Sequence, residues 1–148
     1  MTKQTKTDRP FFDTNVLIYA FVEDDQRSER ARQLLILGGG ISVQALNEFV
    51  RVFRYKLGKP WDEVKRALGY LGEFCPSPVP LTMETHERAV ELGETYRYGI
   101  YDALVLAAAL EYSADTLYSE DLQDGQRIEG LVIRDPFRVR KSSRRSSR

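Results

Sequence analysis

The stretch Tyr101-Asp-Ala-Leu-Val-Leu-Ala-Ala-Ala-Leu-Glu-Tyr112 is apolar at every position from Ala103 to Leu110. A helix with no polar stripe has no face for water, so this one is expected inside a fold rather than on its surface. Asp102 stands at its start, an acid at the mouth of an otherwise apolar element.

Working outward, Thr116-Leu-Tyr-Ser119 and Leu131-Val-Ile133 read as strands downstream, and Gly99 separates the buried helix from another over about Met83–Arg97. Pro76-Ser-Pro-Val-Pro-Leu81 reads as a short extended piece, because proline biases its neighbours away from the helix. Upstream, the strand-like Ile41-Ser-Val leads into a helix whose Leu46, Phe49, Val50, Phe53 and Leu57 share one stripe. Gly58-Lys-Pro60 ends that helix, and Trp61 to Phe74 forms the next. Ala31, Leu34 and Leu35 mark a helix from Ser28 to Leu37, stopped by Gly38-Gly-Gly. Near the start, Pro10-Phe-Phe is a strand ending at Asp13, and Thr14-Asn15 caps the helix that Val16-Leu-Ile-Tyr-Ala-Phe-Val begins. Strands and helices alternate throughout, the order of an α/β fold with a central parallel sheet flanked by helices. There is no internal repeat.

The 148 residues, 42% hydrophobic, suit one domain with a single sizeable core. No apolar run reaches the roughly 18 residues that span a bilayer, and the polar opening lacks a secretory signal, so a cytosolic protein is expected. Cys75 is the one cysteine and His86 the one histidine, which excludes an intrachain disulfide, a cysteine-rich zinc site and a two-histidine acid/base pair. His86 lies in a polar stretch and reads as a surface residue. Neither a P-loop nor a dinucleotide-binding glycine motif is present. Formal charge is zero, yet six of the 22 Lys and Arg (Arg138, Arg140, Lys141, Arg144, Arg145, Arg148) fall in the last eleven residues, leaving 16 against 22 acids. The expected organisation is one domain over 1–137 and a basic, Ser-rich, disordered tail over 138–148 that can attract a polyanion.

In an open parallel sheet, ligands gather beyond the carboxyl ends of the strands. Asp13 ends the first strand, Asp121 follows the strand ending at Ser119, Asp102 opens the buried helix, and Glu48 lies early in the helix after Ile41-Ser-Val. Each has a plain alternative. Asp13 and Asp102 can be helix caps. Asp121, Glu120 and Asp124 sit in the turn-like Ser119-Glu-Asp-Leu-Gln-Asp-Gly125, where surface acids are ordinary. At 100° per residue, Glu48 falls opposite the apolar stripe of its helix, which makes it solvent-facing.

Four segments together resemble the PIN-domain family and, within it, VapC-like toxin ribonucleases. They are Phe12-Asp-Thr-Asn-Val-Leu17, Ile41-Ser-Val-Gln-Ala-Leu-Asn-Glu-Phe49, Tyr101-Asp-Ala-Leu-Val-Leu-Ala-Ala-Ala109 and Leu117-Tyr-Ser-Glu-Asp-Leu-Gln-Asp-Gly125, in the family's order and spacing. The resemblance implies a PIN-like fold with helices on both faces of the sheet. It also implies an acidic cluster of Asp13, Glu48, Asp102 and Asp121 that is both catalytic and metal-binding, supported by Asn15 and Ser119. Against the periodicity, it places Glu48 in the cleft, which a residue in a helix's first turn can reach. Clustered carboxylates repel, and all the donors are oxygens, so Mg²⁺ or Mn²⁺ is the expected cofactor. The implied chemistry is RNA phosphodiester hydrolysis by metal-activated water, leaving 5′-phosphate and 3′-hydroxyl ends. Arg51, Arg54 and Lys56, beside Tyr55, are candidate phosphate contacts. A small antitoxin partner and a homodimer are further implications. Two rivals stand beside this: a catalytically idle PIN-like scaffold, and a haloacid-dehalogenase-like phosphatase, whose second Asp would be needed where Asn15 stands.

Overall fold

The computed structural model describes residues 8–138, so the basic tail expected from Arg138 onward lies, beyond Arg138 itself, outside the described residues. The chain runs β1 (Pro10–Phe12), α1 (Thr14–Ala20), α2 (Asp25–Leu37), α3 (Val43–Val50), a π-helical segment (Arg51–Lys56) and α4 (Trp61–Phe74). It continues through α5 (Met83–Tyr96), α6 (Ile100–Glu111), β2 (Thr116–Tyr118), β3 (Arg127–Ile128) and β4 (Leu131–Arg134). The sheet order is β1-β2-β4-β3; β1, β2 and β4 are parallel, and β3 pairs antiparallel with β4 at the edge.

Alternation along these strands divides the molecule into two cores. Phe11 and Leu117, in register across β1 and β2, point with Leu131 and Ile133 to one face, where α6 packs with all of Ala103–Ala109 buried. Phe12 and Tyr118 point to the other face, against α1, α2, α3 and α4 through Val16, Leu17, Leu35, Phe49, Val64 and Leu71. The expected α/β architecture with helices on both faces is therefore the observed one, and the fully apolar helix is the innermost of them.

Four details differ from the sequence pattern. Ile41-Ser-Val does not form a strand: Gly40 bridges Phe11, Ser42 bridges Val79, and Val43 already opens α3. Ser42 turns from sheet to helix there, its hydroxyl accepting from the Ala45 amide at 3.0 Å. The helix expected to run unbroken to Leu57 changes to π geometry at Arg51, which rotates the end of the stripe outward and leaves Leu57 45% exposed. The two-residue β3, with only Ile128 buried, has too little pattern to be seen in sequence. Finally, Gly38-Gly-Gly does more than stop α2. A Cβ on Gly39 would lie 2.6 Å from the Phe12 ring and 2.7 Å from the Pro10 carbonyl oxygen, so glycine lets this segment lie against β1. No described helix is long and apolar enough to cross a membrane.

Gly39→Ala is expected to destabilise the chain by about 1–3 kcal/mol through this overlap. Gly69→Ala, in mid-α4 with open space around it, should be neutral or stabilising by up to about 1 kcal/mol. Thermal melts of the two variants against the parent check the contrast.

Candidate active site

β1 and β2 end side by side, and the first residue beyond each is polar: Asp13 after β1 and Ser119 after β2. The backbone ladder continues past the strands, with the Asp13 amide donating to the Tyr118 carbonyl at 3.0 Å. This pairing sets the two side chains against each other, and the Ser119 hydroxyl donates to Asp13 Oδ2 at 2.7 Å. Asp13 Oδ1 accepts from the Thr14 amide at 2.7 Å, so the carboxylate does cap α1 and also faces the sheet edge. The cap reading of Asp13 is correct, and the cap does not keep its carboxylate from lining the cleft. Ser119 is fully buried and Asp13 is 6% exposed.

The other acids arrive from separate elements. Asp102 stands in the first turn of α6 and is no cap, since Gly99 holds that position without a side-chain bond. Asp121, exposed in the loop after β2, is oriented by Asn15, whose side-chain amide donates to its Oδ2 at 3.1 Å; its own amide donates to Ser119 Oγ at 3.1 Å. Glu48 lies in the second turn of α3, not the first, and it is half-buried rather than solvent-facing. The polar stripe opposite the core is turned into the cleft by the packing of α3 on α1 and α6. Asp13, Glu48, Asp102 and Asp121 thus line one cleft of about 90 Å³, together with Gln44, Ala45, Tyr101 and Val105.

Electrostatics follows from that crowding. Burial raises the Asp13 carboxyl to about 6, with the Asp121 and Asp102 charges adding to it and the bonds from Ser119 and Thr14 only partly offsetting it. Asp102 is raised too, first by burial and then by the Asp121 and Glu48 charges. The cleft therefore favours protons or a cation over four bare carboxylates. Among the described residues, no three Asp, Glu, His or Cys side chains stand close enough to hold one metal ion by themselves. The donor chemistry still fits Mg²⁺ or Mn²⁺, because such ions commonly take only one or two carboxylates and complete their shell with water and substrate phosphate.

Of the basic candidates, Arg51 adjoins the acids, its guanidinium 3.6 Å from Glu48. Arg54 is engaged elsewhere: it stacks on Trp61 at 4.9 Å and donates to the Lys59 carbonyl, which makes it a latch on the π-helical segment. Lys56 and Tyr55 are exposed, and His86 is exposed on α5 as expected. Two acids that read as ordinary surface residues are not so. Asp124 accepts from the Asp135 amide and pairs with Arg138 at 2.9 Å, and Glu120 meets Tyr19 and Arg27 beside Asn15. Nothing in a turn-like acidic stretch marks which acids will find such partners.

A mostly parallel sheet whose carboxyl edge gathers four acids beside a buried helix defines an α/β domain with an acidic cleft. The model described as PIN domain matches residues 11–126, and the chain belongs to that family. The fold is similar to a chain of a toxin–antitoxin complex from Klebsiella pneumoniae, at 26% identity and TM-score 0.66, covering 88% of this chain and 99% of that one. It is also similar to the sarcin–ricin-loop-cleaving toxin VapC20 of Mycobacterium tuberculosis, at 17% identity and TM-score 0.59, over 76% of this chain and 91% of that one. A third likeness is to VapBC2 of Rickettsia felis bound to a promoter DNA fragment, at 19% identity and TM-score 0.59, over 84% of this chain and 96% of that one. No curated protein is significantly similar in sequence.

A carboxyl raised on folding binds extra protons in the native state, so its stabilising contribution is complete below 3.8 and is lost as pH rises through about 6. In EDTA, Asp13 should cost the chain on the order of 3 kcal/mol at neutral pH relative to acid. Thermal melts of the parent and Asp13→Asn from about pH 4 to about pH 7.5 should show the variant gaining on the parent as pH rises. A constant difference across that range would contradict the assignment.

Proposed function

We propose that the chain is a divalent-cation-dependent endoribonuclease, the toxin of a toxin–antitoxin pair, working in the cytosol. The observation that carries this reading is the convergence of Asp13, Glu48, Asp102 and Asp121, from four separate elements, on one cleft. Membership of the PIN family and similarity to toxin–antitoxin proteins support it.

The cleft has room for about three waters, at about 30 Å³ each, or for one phosphate group in their place, but not for a nucleotide. The scissile phosphate is then the part of the substrate that enters, while base and ribose stay outside. Asp13, Glu48, Asp102 and Asp121 are the groups that would hold Mg²⁺ or Mn²⁺, the charge of Asp121 bearing on both Asp13 and Asp102. When bound, the ion supplies polarisation of a phosphoryl oxygen and a lowered pKa for the attacking water. The chain's own part is orientation. Thr14 and Ser119 fix both oxygens of Asp13, so its carboxylate cannot rotate away from the cleft. Asn15 does the same for Asp121 from one turn of α1. The hydrolysis products are a 5′-phosphate and a 3′-hydroxyl.

The antitoxin enters as a small protein partner, by analogy with the complexes from Klebsiella pneumoniae and Rickettsia felis. A homodimer belongs to the same reading. A second reading has one observation on its side: since no three described acids are close enough to hold an ion alone, the fold can serve as an RNA- or protein-binding scaffold without catalysis. The phosphatase alternative gains nothing, because Asn15 is spent on orienting Asp121.

End-labelled RNA incubated with the purified chain should be cut in Mg²⁺ or Mn²⁺ and remain intact in EDTA. Asp13→Asn and Asp102→Asn should abolish cutting, and Ser119→Ala, which frees one oxygen of Asp13, should slow it about 10–100-fold. RNA that is bound but uncut with either metal would favour the scaffold, and cutting that survives both Asn variants would refute the acidic site.

A further inference from the structure

We infer that the groove beside the acidic cleft is a subsite for one unstacked nucleobase of single-stranded RNA, with Tyr101 as its stacking platform. The inference rests on the ribonuclease reading and adds how the substrate is oriented. Gln44, Asn47, Glu48 and Arg51 are spaced i, i+3, i+4 and i+7 along α3 and its continuation, so they share one helix face. With Tyr101, from the first turn of α6, they line an open groove of about 490 Å³. Gln44, Glu48 and Tyr101 also line the acidic cleft, so the two concavities share a wall.

The division of size matches the division of a nucleotide. A cleft of about 90 Å³ takes a phosphate, and the larger groove next to it takes what the cleft cannot. Four of the five lining residues have a corresponding task. The Tyr101 ring, 62% exposed, offers a flat face, and aromatic faces accept any base by stacking. The side-chain amides of Gln44 and Asn47 carry both donors and acceptors, which suits the hydrogen-bonding edges of a base. Arg51, whose side chain is 57% exposed beside Glu48, is the one cation of the lining and suits the adjoining phosphate.

The composition also favours the occupant. The groove sets the flat Tyr101 ring among the amides of Gln44 and Asn47 and the charge of Arg51, a pairing of aromatic surface with polar edges that suits a base. A paired base in a duplex keeps its faces stacked and cannot lie on Tyr101, which points to a single strand.

The test uses the full chain carrying Asp13→Asn, so that RNA stays intact, with Tyr101 unchanged or replaced by Ala or Phe. The probe is short single-stranded RNA with 2-aminopurine at successive positions, whose fluorescence falls when the base stacks. The Tyr101 protein should quench the probe at one or two positions. Tyr101→Ala should bind about tenfold more weakly and lose the quench, while Tyr101→Phe keeps both. RNA with an abasic site at the quenched position should bind the Tyr and Ala proteins equally well. Circular dichroism confirms that the Ala variant is folded, as the exposure of Tyr101 leads one to expect. Absence of quench with Tyr101 present, or equal binding and quench by the Ala variant, overturns the subsite. Parallel cleavage assays on the chain with Asp13 intact keep the two claims apart: cutting unaffected by Tyr101→Ala sinks the subsite alone, and position-specific quench without any cutting sinks the nuclease reading alone.

Discussion

The structure turns on a buried carboxylate placed where two parallel strands end. Asp13 is bound through one oxygen to the first amide of α1 and through the other to the hydroxyl of Ser119. These two bonds tie the end of β1, the start of α1 and the end of β2 into one corner. The charge they hold is one that burial disfavours, which is why Asp13 stays protonated to an unusually high pH. Asp102 and Asp121 face that corner and make it worse. Under the proposed function, a bound cation would offset that electrostatic cost.

The surrounding fold makes the corner rigid. Phe11 and Phe12 anchor β1 into separate cores on the two faces of the sheet, so β1 cannot slip by one residue without exchanging both. The buried α6 carries Asp102 into the cleft on a helix with seven consecutive buried residues behind it. The glycines before α3 let the chain lie against β1 and pass directly into the helix that carries Glu48. Asp13, Glu48 and Asp102 are thus positioned by deeply packed elements, while Arg51 and Tyr101 face outward.

Much of this was legible in the sequence because periodicity reports burial. The all-apolar 103–110 run, the helix at 61–74 and the Phe11–Phe12 strand each left a clear pattern, and each was found where the pattern put it. Glu48 illustrates the limit. It does lie opposite the apolar stripe, but periodicity tells only that a residue avoids its own core, not whether water or a second helix lies beyond. The likeness of four separated segments to one family placed it in the cleft. Short features were invisible for a related reason: β3 has one buried residue, and the π-helical turn differs from α-helix by a rotation that composition does not encode. The partners of Glu120 and Asp124 come from chain segments distant in sequence, so no local signal announces them.

The central claim is that Asp13 and Asp102 together make a site whose stable charged form requires a divalent cation. Calorimetric titration of Mn²⁺ into the full chain at neutral pH, with Asp13→Asn and Asp102→Asn in parallel, tests it most directly. The account predicts saturable binding by the parent chain that is weakened at least about tenfold in each variant. No saturable binding by the parent, or equal binding by all three proteins, would contradict it.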